Sequence, residues 1–493
     1  MNFEHIRDSR TRVVLGALAI VIVSAVFLCW GSEKIDPQST FDSAFYHLMV
    51  DQIEKGEGFT EPIIWNFLND YKTIDHPMDY WMPGGIIMYS LARKTFGVQS
   101  EIALNIAIWS FLAGLIFYRV FCLTGSFLSA FFAGLTFVFS GRNTFFLLTT
   151  DNIAFYAALG FLFFASIVRE DRFFWLNPVI AGLAVLTRIE GILIAVFSLV
   201  YSGWRFRRAG PIILTLLLIV LTVLPWVIRN QIILGKPWTS NSRALMLTDY
   251  SDLFCPEFSG SLEAFLAQGW QKITLQRVRG LWLALINLIA IPGVFIVFYP
   301  YWRRALVSVW KREGMLFIML LWIFVLFCGL IIPFQCEKGT ALHISAFFIP
   351  GFSMLNGLGL LVLKTVKSNR SAYLIASIIL IWQIFLSCNS IVNISRFQDG
   401  INSPYRALSS LFANFKDEKV VSNDPIRVLH ETGLKGVMWS AKTVIRPEKI
   451  AETYECSIII QDSRPAYRAN SEPLGFEKIA SYTDVVVWKK KKK

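Results

Sequence analysis

The chain is built from repeated apolar runs, each about as long as a bilayer is thick and most of them bounded by basic residues. The first extends from Val13 to Gly31 without a charge. A helix rises about 1.5 Å per residue, so roughly 20 apolar residues cross a hydrocarbon layer of about 30 Å. Runs of this kind recur at roughly 12–30, 101–121, 126–140, 152–168, 173–187, 190–204, 211–228, 281–299, 314–334, 343–363 and 371–390, which predicts about eleven spans. Composition agrees: 55% of the 493 residues are hydrophobic and only 17% are charged. A water-soluble chain of that make-up would expose far too much apolar surface. The expected fold class is therefore mainly α, a polytopic transmembrane helical bundle in the plasma membrane.

The formal net charge of +12 does not mark a nucleic-acid partner, because the basic residues cluster in short loops beside the spans. With Arg7, Arg10 and Arg12 on the cytoplasmic side, the clusters Arg169/Arg172, Arg205/Arg207/Arg208, Arg303/Arg304/Lys311/Arg312 and Lys364/Lys367/Arg370 fall there too. This is the positive-inside pattern. It places the 31–100 loop, the 229–280 loop and the tail from about 391 on the opposite, extracytoplasmic side. The first span has no small-residue cleavage site and reads as retained. No phosphate-cradling glycine motif supports a cytoplasmic nucleotide site. Cys255 and Cys336 both fall outside and are candidates to pair.

The 31–100 loop is acidic and aromatic. It contains S-T-F-D-S-A-F-Y-H-L and, later, D-H-P-M-D-Y-W-M-P-G-G. Ser39–Glu54 has amphipathic helical spacing and is stopped by Gly56 and Gly58. A second helix is expected from Pro83 to Phe96, ending at Gly97 and lying on the membrane surface. Beyond the last span the composition turns soluble. Tyr405–Phe415 reads as a helix, and Lys419–Ser422, Ser457–Gln461 and Asp484–Trp488 read as strands. Asn423-Asp424-Pro425 reads as a helix start. Two domains are thus expected: a membrane domain over 1–390 and a small α/β domain over 391–493.

An acidic residue early in the first external loop, two interfacial helices there, and the H-P-M-D-Y-W-M-P element resemble the GT-C superfamily of membrane glycosyltransferases. The likeness is to its protein O-mannosyltransferase-like and aminoarabinose-transferase-like members. T-T-D-N-I-A-F-Y at the fourth span, L-T-R-I-E-G at the fifth junction and V-V-S-N-D-P-I-R-V-L-H-E-T-G in the tail extend the resemblance. Met82-Pro83-Gly84-Gly85 departs from the family's P-P-L. The resemblance implies transfer of a sugar from a polyprenyl-phosphate donor to an extracytoplasmic acceptor.

That chemistry needs a base for the acceptor and cations for the leaving phosphate. Asp42 is the candidate base, with a competing role in a Ser39-x-x-Asp42 capping box. Asp151 is the second candidate carboxylate and could instead cap the fourth span. His76 is a candidate metal ligand or donor contact, and Tyr80 a candidate sugar contact. Arg188 and Glu190 are charges at a span junction, where a functional role is the default reading. Arg142, Arg243, Lys338 and His343 are further candidates for the phosphate. No cofactor is required by any motif, and a divalent metal is compatible with the acidic loop. A lipid-linked glycan polymerase or ligase would share the same donor. A secondary transporter is disfavoured because the charges gather at the outer edge and no internal repeat is visible.

Overall fold

The computed structural model describes residues 3–97, 100–168, 175–247, 249–258, 260–290, 304, 311–332, 340–413, 415, 417–464 and 472–491. Its helices, in chain order, begin with α1 (Phe3–Ser32), α2 (Phe41–Glu54), α3 (Gly84–Phe96), α4 (Ser100–Thr124), α5 (Phe127–Val138) and α6 (Asn143–Leu147). Next come α7 (Ile153–Val168), α8 (Leu176–Thr187), α9 (Ile192–Phe206), α10 (Ala209–Leu234), α11 (Asn241–Ala244), α12 (Leu262–Ala267) and α13 (Trp270–Ala290). The last are α14 (Lys311–Leu330), α15 (Thr340–Ser345), α16 (Ile349–Val366), α17 (Asn369–Phe412), α18 (Pro425–Thr432) and α19 (Pro447–Thr453). Among the described residues six helices are long and apolar enough to cross a membrane, and four shorter apolar helices join them. The protein is a multi-pass membrane protein.

The membrane helices pack α1 on α4, α4 on α5, and α16 on both, while α8, α9 and α10 form a second group. α16 sits deepest: it is buried almost throughout its first three turns. The core there is aromatic, with Trp109 stacked on Phe137 at 4.1 Å. α10 is the opposite case. Leu214, Leu217, Leu221 and Ile228 on it are exposed, as expected for a helix whose solvent is lipid.

Two expectations about local structure are corrected. The cap of α2 is Thr40, whose side chain accepts from the Ser43 amide while Ser43 returns a bond to the Thr40 amide. The capping box is therefore one residue on from Ser39-x-x-Asp42, and Asp42 takes no part in it. The expected helix Tyr405–Phe415 is not separate. It is the far end of α17, which continues unbroken from the last membrane run for 44 residues and carries Pro404 inside it.

Past α17 the chain forms a sheet. The strands are β4 (Val420–Ser422), β5 (Gly436–Met438), β6 (Ile458–Asp462), β7 (Phe476–Tyr482) and β8 (Val485–Lys490). The first loop supplies β1 (Thr60–Glu61), β2 (Ile63–Ile64) and β3 (His76–Pro77). The sheet order is β2-β5-β4-β6-β8-β7, with β2, β5, β4 and β6 parallel. A strand from the first loop is thus an edge strand of the C-terminal sheet. Ile64, Tyr71 and Ile74 of that loop share a buried cluster with Val421, Val437, Ile459 and Trp488. The Asn423-Asp424-Pro425 helix start is present: Asp424 accepts from the Arg427 amide and α18 ends at Gly433, φ +78°.

Candidate functional site

α2 carries Asp42 on its first turn, and its cap is satisfied by Thr40 and Ser43, so the Asp42 carboxylate is left to face inward. Asp151 lies between α6 and α7. It is fully buried, and no amide of α7 is among its partners, so it is not the cap of α7. His343 on α15 joins the two: its Nδ1 is 3.1 Å from Asp151 and 3.9 Å from Asp42. The ring of Phe146 packs against it at 4.6 Å.

Arg188 ends α8 in an extended conformation and turns its guanidinium into the same space. Its Nε is 3.4 Å from Glu190 Oε2, and its Nη1 is 3.4 Å from both His343 Nδ1 and Asn152 Oδ1. Asn152 is pinned in turn, donating to the Tyr46 hydroxyl at 2.8 Å and to the Thr187 carbonyl at 3.0 Å. Gly85 makes this approach possible, since a Cβ there would stand 2.9 Å from Asn152 Cβ and 3.2 Å from the Tyr46 ring. That close approach is a local reason for the glycine in Met82-Pro83-Gly84-Gly85.

These groups stand at the head of a cavity of about 890 Å³. Asp42, Tyr80, Arg188, Glu190 and His343 line it, and so does an apolar wall from α10 with Leu216, Val220 and Leu224. Those three side chains are 50%, 45% and 36% exposed, and they belong to a helix long and apolar enough to cross a membrane. Burial pushes the Asp42 carboxyl up to about 6, with His343 pulling the other way.

The other candidates lie elsewhere. His76 is buried against Tyr71, ring centres 3.9 Å apart, and its Nε2 faces the Ile63 carbonyl at 3.0 Å. It does not line the cavity. Arg243 donates to the Leu68 carbonyl at 2.7 Å, and Arg142 is exposed just before α6. Lys338 lies outside the described residues, as does Cys336, the expected partner of Cys255. Asn152 and Tyr46 were not singled out from the sequence. Their signals were present only as the residue after Asp151 in T-T-D-N and the residue one helical turn after Asp42.

No protein-family model matches the sequence, and no curated protein does. The fold, by contrast, is shared. ArnT from Cupriavidus metallidurans, solved bound to undecaprenyl phosphate, superimposes with a TM-score of 0.61 at 12% identity over 96% of this chain and 97% of its own. The chain has the GT-C fold. The oligosaccharyltransferase of Archaeoglobus fulgidus, in complex with zinc and sulfate, gives a TM-score of 0.53 at 12% identity over 90% of this chain and 68% of its own. The oligosaccharyltransferase AglB of that organism, in complex with an inhibitory peptide and a dolichol-phosphate, gives the same score and identity over 90% and 69%.

Proposed function

We propose that the protein is a membrane glycosyltransferase that moves a sugar from a polyprenyl-phosphate donor to an acceptor on the extracytoplasmic side. The observation that carries the reading is the cavity itself: a cluster of carboxylates, an imidazole and a guanidinium at the head of an apolar space walled by a helix of membrane-crossing length. An isoprenoid tail needs such an apolar path, and a phosphate at its end needs a cation. The GT-C fold, and the lipid phosphates bound by ArnT and AglB, support the same reading.

In the reaction Asp42 takes the proton of the acceptor hydroxyl or amine. The acceptor atom forms its bond to the anomeric carbon as the bond from that carbon to the phosphate oxygen breaks. The electron pair leaves with the lipid phosphate, and Arg188 neutralises it. Asn152 and Glu190 hold the guanidinium fork in place. Its two parallel N–H groups suit a phosphate.

Asp42, Asp151 and His343 offer three ligand atoms within 4.8 Å of one another. The buried Asp151 carboxylate and the mixed oxygen and nitrogen donors fit a divalent cation. Such an ion, when bound, would supply Lewis-acid stabilisation of negative charge. Mass spectrometry of lipid retained by the purified protein tests the proposal. A polyprenyl phosphate, free or sugar-bearing, is expected. Retention of bulk phospholipid alone, with no transfer from any polyprenyl-phosphoryl sugar offered, would overturn it.

A further inference from the structure

The side of the cavity beside Asp42 is aromatic. Tyr80 and Trp81 line it together with the nearly buried Trp65, whose ring is 4.7 Å from that of Tyr80 and 6.0 Å from Trp81, nearly parallel to the latter. Phe41 and Phe45 close the other side of Trp65 edge-on at 5.3 and 6.2 Å. Only Trp81 of the three is appreciably open. Rings stacked in this way move together, because a change in one plane forces its neighbours to repack.

What fixes the first plane is an unexpected residue. The Trp65 indole N–H donates to Glu61 Oε2 at 3.0 Å. Glu61 is entirely buried, and its other oxygen has no hydrogen-bond partner. The imidazole of His76 is 4.0 Å away. A carboxyl group in that setting is costly, and packing alone would be better served by an apolar side chain. Among the described residues the side chain that bonds to it is Trp65, beside the backbone of Asp79.

The backbone around this pair is held from elsewhere in the chain. Glu61 pairs with His76 in the two-residue ladder of β1 and β3, while Ile63 and Ile64 pair with Gly436 and Val437 of β5. Strands of two residues do not persist alone. The Glu61–Trp65 segment is therefore held in place by the C-terminal sheet, which fixes Trp65 directly after the last paired residue.

We propose that Glu61 is a positioning residue for a sugar subsite: it sets the plane of Trp65, and through it presents Trp81 and Tyr80 to the sugar of the lipid-linked substrate, with the C-terminal sheet as the brace. This rests on the glycosyltransferase reading, since it takes the occupant of the cavity to be a lipid-linked sugar. The flat C–H face of a pyranose packs on an aromatic ring, and a supporting group behind the ring decides whether that face is held or loose.

The test uses the full chain in lipid nanodiscs, as wild type and as Glu61→Leu, Glu61→Gln and Trp65→Phe. Binding is measured for undecaprenyl phosphate and for its glucosyl, galactosyl and mannosyl derivatives. Glu61→Leu and Trp65→Phe remove one end of the hydrogen bond and should weaken the sugar-bearing lipid that wild type binds best by about tenfold. The bare lipid phosphate should change by less than about twofold, because the cation proposed for it, Arg188, is held by Asn152, His343 and Glu190 rather than by Glu61 or Trp65. Glu61→Gln keeps an acceptor oxygen and should stay close to wild type. In parallel, fluorine NMR of 5-fluorotryptophan protein should show the Trp65 and Trp81 signals displaced or broadened in Glu61→Leu and preserved in Glu61→Gln. Equal weakening of both kinds of lipid, or unmoved fluorine signals in Glu61→Leu, overturns the positioning role while leaving the glycosyltransferase reading standing. Failure of wild type to bind any of the four lipids overturns that reading and the sugar subsite with it.

Discussion

His343 Nδ1 lies 3.1 Å from the buried carboxylate of Asp151, tying a short helix ahead of α16 to the entry of α7. The contact brings an imidazole and a carboxylate to the place where Asp42 and Arg188 also arrive. Four distant parts of the chain are required to make it.

Asp42→Asn keeps the size of the side chain and leaves the Thr40–Ser43 cap of α2 untouched. It removes basicity. Transfer should fall by about two orders of magnitude or more, with thermal unfolding near that of wild type. Near-normal turnover in a steady-state assay would remove Asp42 from the role of base.

The acid limb of the pH profile should report the same group. With its carboxyl raised to about 6, Asp42 is ionised above that pH and protonated below it. In metal-free protein kcat/KM should therefore rise about tenfold per pH unit up to 6 and level off above it. Residual transfer by Asp42→Asn should lack that limb. A divalent cation bound at Asp42, Asp151 and His343 would shift the limb to lower pH, and a chelator would restore it. The stability effect has the opposite sense. Because the folded value lies above the ordinary 3.8, the contribution of Asp42 to stability is full below 3.8 and is lost as pH rises through about 6.

Arg188 touches Glu190, and that pair alone could be structural. Substituting both with glutamine removes the two charges together. If the pair only holds the junction of α8 and α9, Arg188→Gln with Glu190→Gln should leave transfer largely intact. If the guanidinium neutralises the leaving phosphate, the double variant should stay defective while folded. Arg188→Lys alone should then lose about tenfold or more in kcat, because an ammonium lacks the fork.

Lys55, on the first loop, and Ser409, near the end of α17, are both exposed. Single cysteines at these positions in a cysteine-free background should both react with an impermeant thiol reagent in intact cells. Protection of either one would break the proposed orientation.

Much of the membrane architecture could be read from the sequence because apolar run length is set by the bilayer and little else. α1, α4, α10 and α17 stand where long uncharged runs stand. The acidic first loop was likewise visible, since carboxylates beside spans have few other reasons to be there. The candidate site was legible in part: Asp42, Asp151, Arg188, Glu190 and His343, each a candidate from the sequence, converge in space, whereas His76, Arg243 and Arg142 do not join them. A histidine beside a proline and an arginine in a loop carry no signal that separates a ligand from a backbone anchor. The capping assignment was off by one because serine and threonine are adjacent and either suits an N-cap. The fusion of Tyr405–Phe412 to the membrane helix was hidden by a fall in hydropathy that the helix simply crosses. The pairing of β2 with β5 could not be read at all, for Ile63-Ile64 and Gly436-Val437, far apart in the chain, have no local mark of their partnership.

That pairing has a consequence for how the protein is made. Ile63 and Ile64 are synthesised early and must wait beside the bilayer until Gly436 and Val437 have been translated and delivered to the same side. Until then the first loop has an unpaired edge and Trp65 has no fixed plane. A ribosome stalled between the end of α17 and β5 leaves a protein that has passed its last long apolar helix and still lacks the strand that β2 pairs with. The brace behind Trp65 is thus completed only after the last long apolar helix has been made, so the order of synthesis sets the order in which the cavity wall can form.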